Sequence, residues 1–149
     1  MVGHGLIYFS SGFPRAHLLA VRPDGQGHVT SSHVAWSTSR SVPSKPSLLL
    51  VNDLLYMITD AGVASALDAK TGDLIWTARV GGTFSASPVA AEGRIYFFDE
   101  DGKATVIETG REYKVLATNS LDEGSLASPA IAGKALFVRT KTHLYRIES

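Results

Sequence analysis

Hydrophobic and polar positions along the chain alternate in short runs, none longer than a β-strand. Leu54-Leu55-Tyr56-Met57-Ile58, Ile95-Tyr96-Phe97-Phe98 and Leu136-Phe137-Val138 are the most apolar, and each is flanked by turn-forming residues. Their aromatic centres, Tyr56, Tyr96 and Phe137, lie 40 and 41 residues apart. Ser87-Pro88 and Ser128-Pro129 keep the same phase, with Ser47-Leu48 in the equivalent place upstream, and Ala61-Gly62 is matched by Asp101-Gly102. A strand-rich repeat of about 40–45 residues is the sequence signature of a β-propeller blade. An earlier, less regular unit begins at Leu6-Ile7-Tyr8-Phe9. Its extra residues fall around Gly25-Gln26-Gly27-His28 and in the Ser- and Pro-rich stretch from Ser39 to Pro46, which reads as lengthened loop.

The pattern predicts four strands per unit. They are 47–51, 54–59, 63–68 and 74–80 in the second unit, and 86–91, 94–99, 103–108 and 114–119 in the third. Asn52-Asp53, Glu92-Gly93 and Gly133-Lys134 stand where tight hairpin turns are needed. No stretch carries a helical apolar period. Inner strands are apolar on both faces and need cover on both sides, which neighbouring blades supply; later strands such as Ala117-Thr118-Asn119-Ser120 are more polar and suit an outer rim. The expectation is an all-β partial propeller with blades near 5–40, 46–80, 85–120 and 125–149. The first, starting at its second strand, and the last, ending after its third, are expected to be incomplete. Both ends then leave unpaired strand edges, which proteins normally cover.

Length sharpens this picture. A chain of 149 residues holds a core but is too short for the six to eight blades usual in a closed ring of this repeat. Lys plus Arg and Asp plus Glu are balanced at 14 each. No basic stripe is present, so nucleic acid is not an expected partner. Cysteine is absent, which excludes disulfides, thiolate metal sites and cysteine nucleophiles. No apolar run reaches membrane-spanning length. No charged-then-apolar leader opens the sequence, so it carries no readable signal peptide and its compartment stays open.

The run from Ala66 to Trp76 fits Ala-x-Asp-x-x-Thr-Gly-x-x-x-Trp. It resembles the tryptophan-docking repeat of the pyrroloquinoline quinone (PQQ) propeller superfamily. The third unit keeps Val106, Glu108, Thr109 and Gly110 but has Leu116 where the Trp is expected. The first keeps Ala20, Asp24-Gly25 and a displaced Trp36. The ending Thr140 to Arg146 resembles the C-terminal portion of a bacterial member. The physics of the motif is structural. Gly72 permits a positive φ in the turn after Thr71, and Asp68 accepts turn amides. Ala66 leaves room for the next blade, and Trp76 covers the seam, its burial contributing roughly 2–3 kcal/mol. The resemblance implies two kinds of protein: cofactor-free scaffolds, and quinoprotein dehydrogenases that hold PQQ and calcium over the propeller axis. Relatives are mostly exported. The dehydrogenases typically add a vicinal cysteine pair and an acidic calcium site; this chain lacks the first and shows no acidic axial cluster.

Candidate chemistry is sparse. Ser47, Ser87 and Ser128 share a phase on the innermost strands, where crowding calls for small residues, and no His or Asp keeps a triad relationship to them. His28 and His33 are an odd step apart, and none of the five histidines (with His4, His17 and His143) has zinc-site spacing. Asp99-Glu100-Asp101-Gly102 reads as a hairpin turn, because the downstream carboxylate of a calcium loop is missing. Arg40, Lys45, Arg94, Arg139 and Lys141 lie near strand ends, where an anion or peptide site at the propeller mouth is conceivable; solvated rim charge is the simpler reading. Trp36 reads as a seam residue like Trp76. The chain is therefore expected to have no catalytic, metal or cofactor site. It is expected to act as a protein-binding or self-assembling scaffold, its partner a second copy or the N-terminal blades of a parent protein. A fragment of a PQQ- and calcium-dependent dehydrogenase is the alternative.

Overall fold

The fold was analysed in a computed structural model, which describes residues 1–12 and 14–148. Four separate antiparallel sheets follow one another along the chain. The first holds β1 (Val2–Gly3), β2 (Leu6–Ser11), β3 (His17–Val21) and β4 (Val34–Thr38). The second holds β5 (Leu49–Val51), β6 (Leu54–Ile58), β7 (Val63–Asp68) and β8 (Leu74–Arg79). The third holds β9 (Val89–Ala91), β10 (Arg94–Phe98), β11 (Lys103–Glu108) and β12 (Val115–Ser120), and the fourth β13 (Ala130–Ala132), β14 (Ala135–Arg139) and β15 (Leu144–Glu148). In every sheet spatial order follows chain order, so each is an up-and-down blade. Among the described residues there is no helix, and so none long enough to cross a membrane.

Blade one departs from the sequence expectation: it has four strands, not three. Val2 and Gly3 pair with Ile7 and Leu6 across a two-residue turn, His4-Gly5, both at positive φ (53° and 72°). A two-residue strand has no period to detect, and its glycines read as loop. Gly3 lies close to the second blade: a Cβ there would meet Leu50 Cδ2 of β5, which would have to shift. Blade four has, among the described residues, the three strands expected, with β15 outermost.

The apolar residues form seams between blades. Leu6, Tyr8, Leu18 and Ala20 of blade one pack with Leu48, Leu55, Met57 and Leu67 of blade two. Tyr56, Ile58, Ala66 and Trp76 pack with Ile95, Phe97 and Ile107 of blade three. Phe98, Ala104 and Tyr96 pack with Val138 and Leu136 of blade four. Strand alternation sends Tyr56 to one neighbour and Leu55 to the other, which is why the central strands are apolar on both faces.

Candidate functional site

The repeated polar constellation is the joint between blades. In blade one Tyr8 and Trp36 lie with ring centroids 5.9 Å apart, and in blade two Tyr56 and Trp76 lie 6.0 Å apart. Tyr8 Oη and Trp36 Nε1 both donate to the Ala69 carbonyl in the next blade, at 2.9 and 3.1 Å. Tyr56 Oη and Trp76 Nε1 both donate to the Gly110 carbonyl, at 3.3 and 3.1 Å, and Gly110 N–H donates back to Tyr56 Oη at 2.8 Å. Burial raises the pKa of both tyrosines, Asp68 adding to the effect at Tyr8. They therefore stay protonated as donors.

The receiving turn is built by the motif. Asp68 Oδ1 accepts the amides of Lys70 and Thr71 at 3.0 and 3.2 Å, and Gly72 N–H closes the turn on the Asp68 carbonyl at 2.8 Å. Thr71 Oγ1 donates to Asp73 Oδ2 at 2.7 Å. Gly72 sits at φ +78°, and a Cβ there would stand 2.7 Å from the Trp36 indole. So Gly72 serves the turn and also forms the floor under the preceding blade's Trp. Ala66 is fully buried against Trp76 and the third blade.

Register changes how the other units read. Trp36 stands opposite Ala20 just as Trp76 stands opposite Ala66. It is displaced only in sequence, by the long loop between β3 and β4. In blade three Val106 faces Ala117, while Leu116 is the extra residue of a bulge shared with blades one and two. The position of the missing Trp is therefore Ala117 and not Leu116, because the third turn is one residue longer. The tyrosine hydroxyls were overlooked in sequence, although their shared phase with the Trp positions was the available signal.

At the inner strands the three serines link blades. Ser47 N–H donates to Ser87 Oγ, and Ser87 N–H to Ser128 Oγ, each at 2.9 Å. Near them Ser85 Oγ donates to Glu100 Oε1 at 2.5 Å, and Lys45 Nζ lies 3.5 Å from that oxygen. Alternating strand direction divides the basic candidates. Arg40, Lys45 and Arg139 lie at the end that carries the β6–β7, β8–β9 and β14–β15 connections. Arg94 opens β10 at the opposite end, 3.5 Å from Glu92. The four do not form one site.

The carboxylates are likewise engaged. Asp99 Oδ1 accepts the amides of Asp101 and Lys103, and Asp60 Oδ2 that of Ser44. Glu123 accepts from the Thr140 and Thr142 hydroxyls and the Thr142 amide. Those hydroxyl bonds, Thr142 first, hold its pKa down at about 2, with His143 helping. Among the described residues no three His, Asp or Glu side chains converge as a metal ion requires. His4 lies against Asn52 and Asp53, His33 against Asp24, and His143 against Glu123. The residues present thus do not fit a PQQ–calcium site, and no redox step is derived through one.

The family model described as outer membrane protein assembly factor BamB matches residues 15–149. The chain belongs to this family. Among solved structures, BamB from Moraxella catarrhalis is similar over 97% of the chain, with a TM-score of 0.72 and 19% identity. A europium-containing methanol dehydrogenase is similar over 80%, with a TM-score of 0.63 and 18% identity. The chain spans 43% of that BamB and 23% of that dehydrogenase. No curated protein sequence matches it. The BamB-family chain is thus a stretch of PQQ-like β-propeller.

Proposed function

We propose that this BamB-family chain is a non-catalytic scaffold that binds protein through its rim loops and open strand edges. One observation carries the reading. The family's signature residues Asp68, Thr71, Gly72 and Trp76 have their polar groups engaged within the turn or across a joint. What remains open is the rim bearing Arg40 and Arg139 and the outer edge strands β4, β8 and β12, both suited to a protein partner; an edge strand receives an extended peptide through main-chain bonds. The BamB named among its neighbours is by its family description an assembly factor, and the same kind of role suits this chain.

The test is spectroscopic and kinetic. On adding PQQ with calcium, the absorbance is expected to equal the sum of the separate components, and no dye-linked alcohol oxidation is expected. A saturable spectral shift accompanied by alcohol oxidation overturns the proposal.

A further inference from the structure

The seam between blades one and two is open along its outer half. A cleft of about 350 Å³ lies there between Thr38 and Arg40 of blade one and Ser65, Leu67, Leu74 and Thr77 of blade two. Both walls belong to complete four-stranded blades. Trp36 and Trp76 set the two blades in step at 40 residues, so in the next seam Ala78 and Val80 hold the places of Thr38 and Arg40. Those two pack against the apolar cluster, and Tyr113 stands over Trp76 with ring centroids 5.3 Å apart. Tyr113 holds the place of Gly72, each just before the carbonyl that accepts the amide of Glu108 or Asp68. Small and polar side chains thus leave the first seam open where larger apolar ones fill the second. Ser41 also lines the cleft, at φ +52°, where blade two has Gly81. A side chain is kept there against the left-handed strain that glycine avoids.

The cleft is cationic at the end nearest the β6–β7 turn. Arg40 lines it, and Arg79 brings a second guanidinium to that end, since it pairs with Val63 and shares a face of β8 with Thr77. Both are exposed, and among the described residues neither is ion-paired. Asp73, at the other end, already takes the Thr71 hydroxyl.

β4 borders this cleft and is the outermost strand of its sheet. Its sequence, Val34-Ala35-Trp36-Ser37-Thr38, has neither the charges nor the proline that commonly blunt such an edge. β12 is equally uncharged; the cleft sets β4 apart. A strand added to β4 turns every second side chain toward blade two, where Leu74, Thr77 and Arg79 are exposed.

We propose that β4 takes an extended acidic segment of a partner protein, main chain to main chain, with a carboxylate of that segment seated in the cleft against Arg40 and Arg79. Arginine holds carboxylates through paired, charge-assisted N–H bonds. Such docking rests on the scaffold reading and gives it one edge and one partner chemistry.

A short, end-blocked, dye-labelled peptide alternating glutamate with threonine is titrated against the full chain and followed by fluorescence anisotropy. Saturable binding is expected. Arg40→Ala and Arg79→Ala are each expected to weaken it on the order of 10-fold, the loss of one charge-assisted contact, whereas Arg94→Ala, at the opposite end of its blade, leaves it unchanged. On the unaltered chain, replacing the glutamates with lysine or N-methylating the peptide amides is expected to abolish binding, and these arms serve if a variant loses its circular dichroism. No saturation, binding indifferent to both arginines, or equal binding of the lysine or N-methylated peptide overturns the proposal. Self-association of the peptide-free chain that Arg40→Ala abolishes also overturns it, by making the occupant a second copy. The scaffold reading is tested separately by the PQQ–calcium assay, so the two failures are distinguishable.

Discussion

Single atoms decide how the blades hold together. Gly72→Ala has to place a methyl group at φ +78° within 2.7 Å of the Trp36 ring. We expect it to cost about 2–4 kcal/mol in urea unfolding, combining left-handed strain with displacement of the indole. Gly27→Ala, at φ +68° with nothing within 4 Å, isolates the strain alone at about 1–2 kcal/mol; equal losses for the two would exclude the Trp36 contact as a cause. Glu123 carries a pH dependence. Its folded pKa of about 2 lies below the ordinary 4.5. Its contribution is thus complete above pH 4.5 and lost as pH falls toward 2. Glu123→Gln is expected to flatten the acid limb of thermal stability in that window, and an unchanged limb would contradict the assignment. Sequence exposed these residues unevenly. Gly72 and Trp76 stand out because their motif is contiguous. Glu123, Thr140 and Thr142 come together only through folding, and no local pattern announces a carboxylate that takes hydroxyls from a later hairpin.

At the level of elements, all four inner hairpins turn in two residues with a positive φ at the first: His4, Asn52, Glu92 and Gly133. Glu92 is the poorest fit, since only Gly, Asn and Asp visit that region readily. Glu92→Asn creates an Asn-Gly turn and is expected to add about 0.5–1 kcal/mol of stability, read as a higher denaturant midpoint at unchanged slope. Its exposed pair with Arg94 at 3.5 Å is of a class worth little. Three of these turns are readable in sequence because apolar runs flank them. The fourth is not, since β1 offers only Val2 and Gly3. Trp36 shows the complementary limit. Spacing alone makes it look out of place, whereas pairing with Ala20 puts it in register with Trp76. Arg94 shows a third: alternation along the chain does not say which end of a blade a residue occupies until the strands are laid antiparallel.

Across the whole molecule the stack is nearly one-dimensional, each blade touching its neighbours, so local stability should follow position. Amide exchange is expected to be slowest in β6 and β7, covered on both sides, and fastest in β12 and β15, most of whose residues are exposed; uniform protection would mean a single cooperative unit. The 40-residue period made the blades legible because each repeats one solution to the same packing problem. Most donors at the joints also point one way, Gly110 N–H to Tyr56 Oη being an exception. Tyr8, Trp36, Trp76 and the amides of Ser47 and Ser87 all donate forward, to acceptors later in the chain. During synthesis from the N-terminus, each blade therefore leaves the ribosome with donors unsatisfied until its successor emerges. An arrested nascent chain accordingly leaves these donors to water, together with the apolar seam beside them, until the next blade is made.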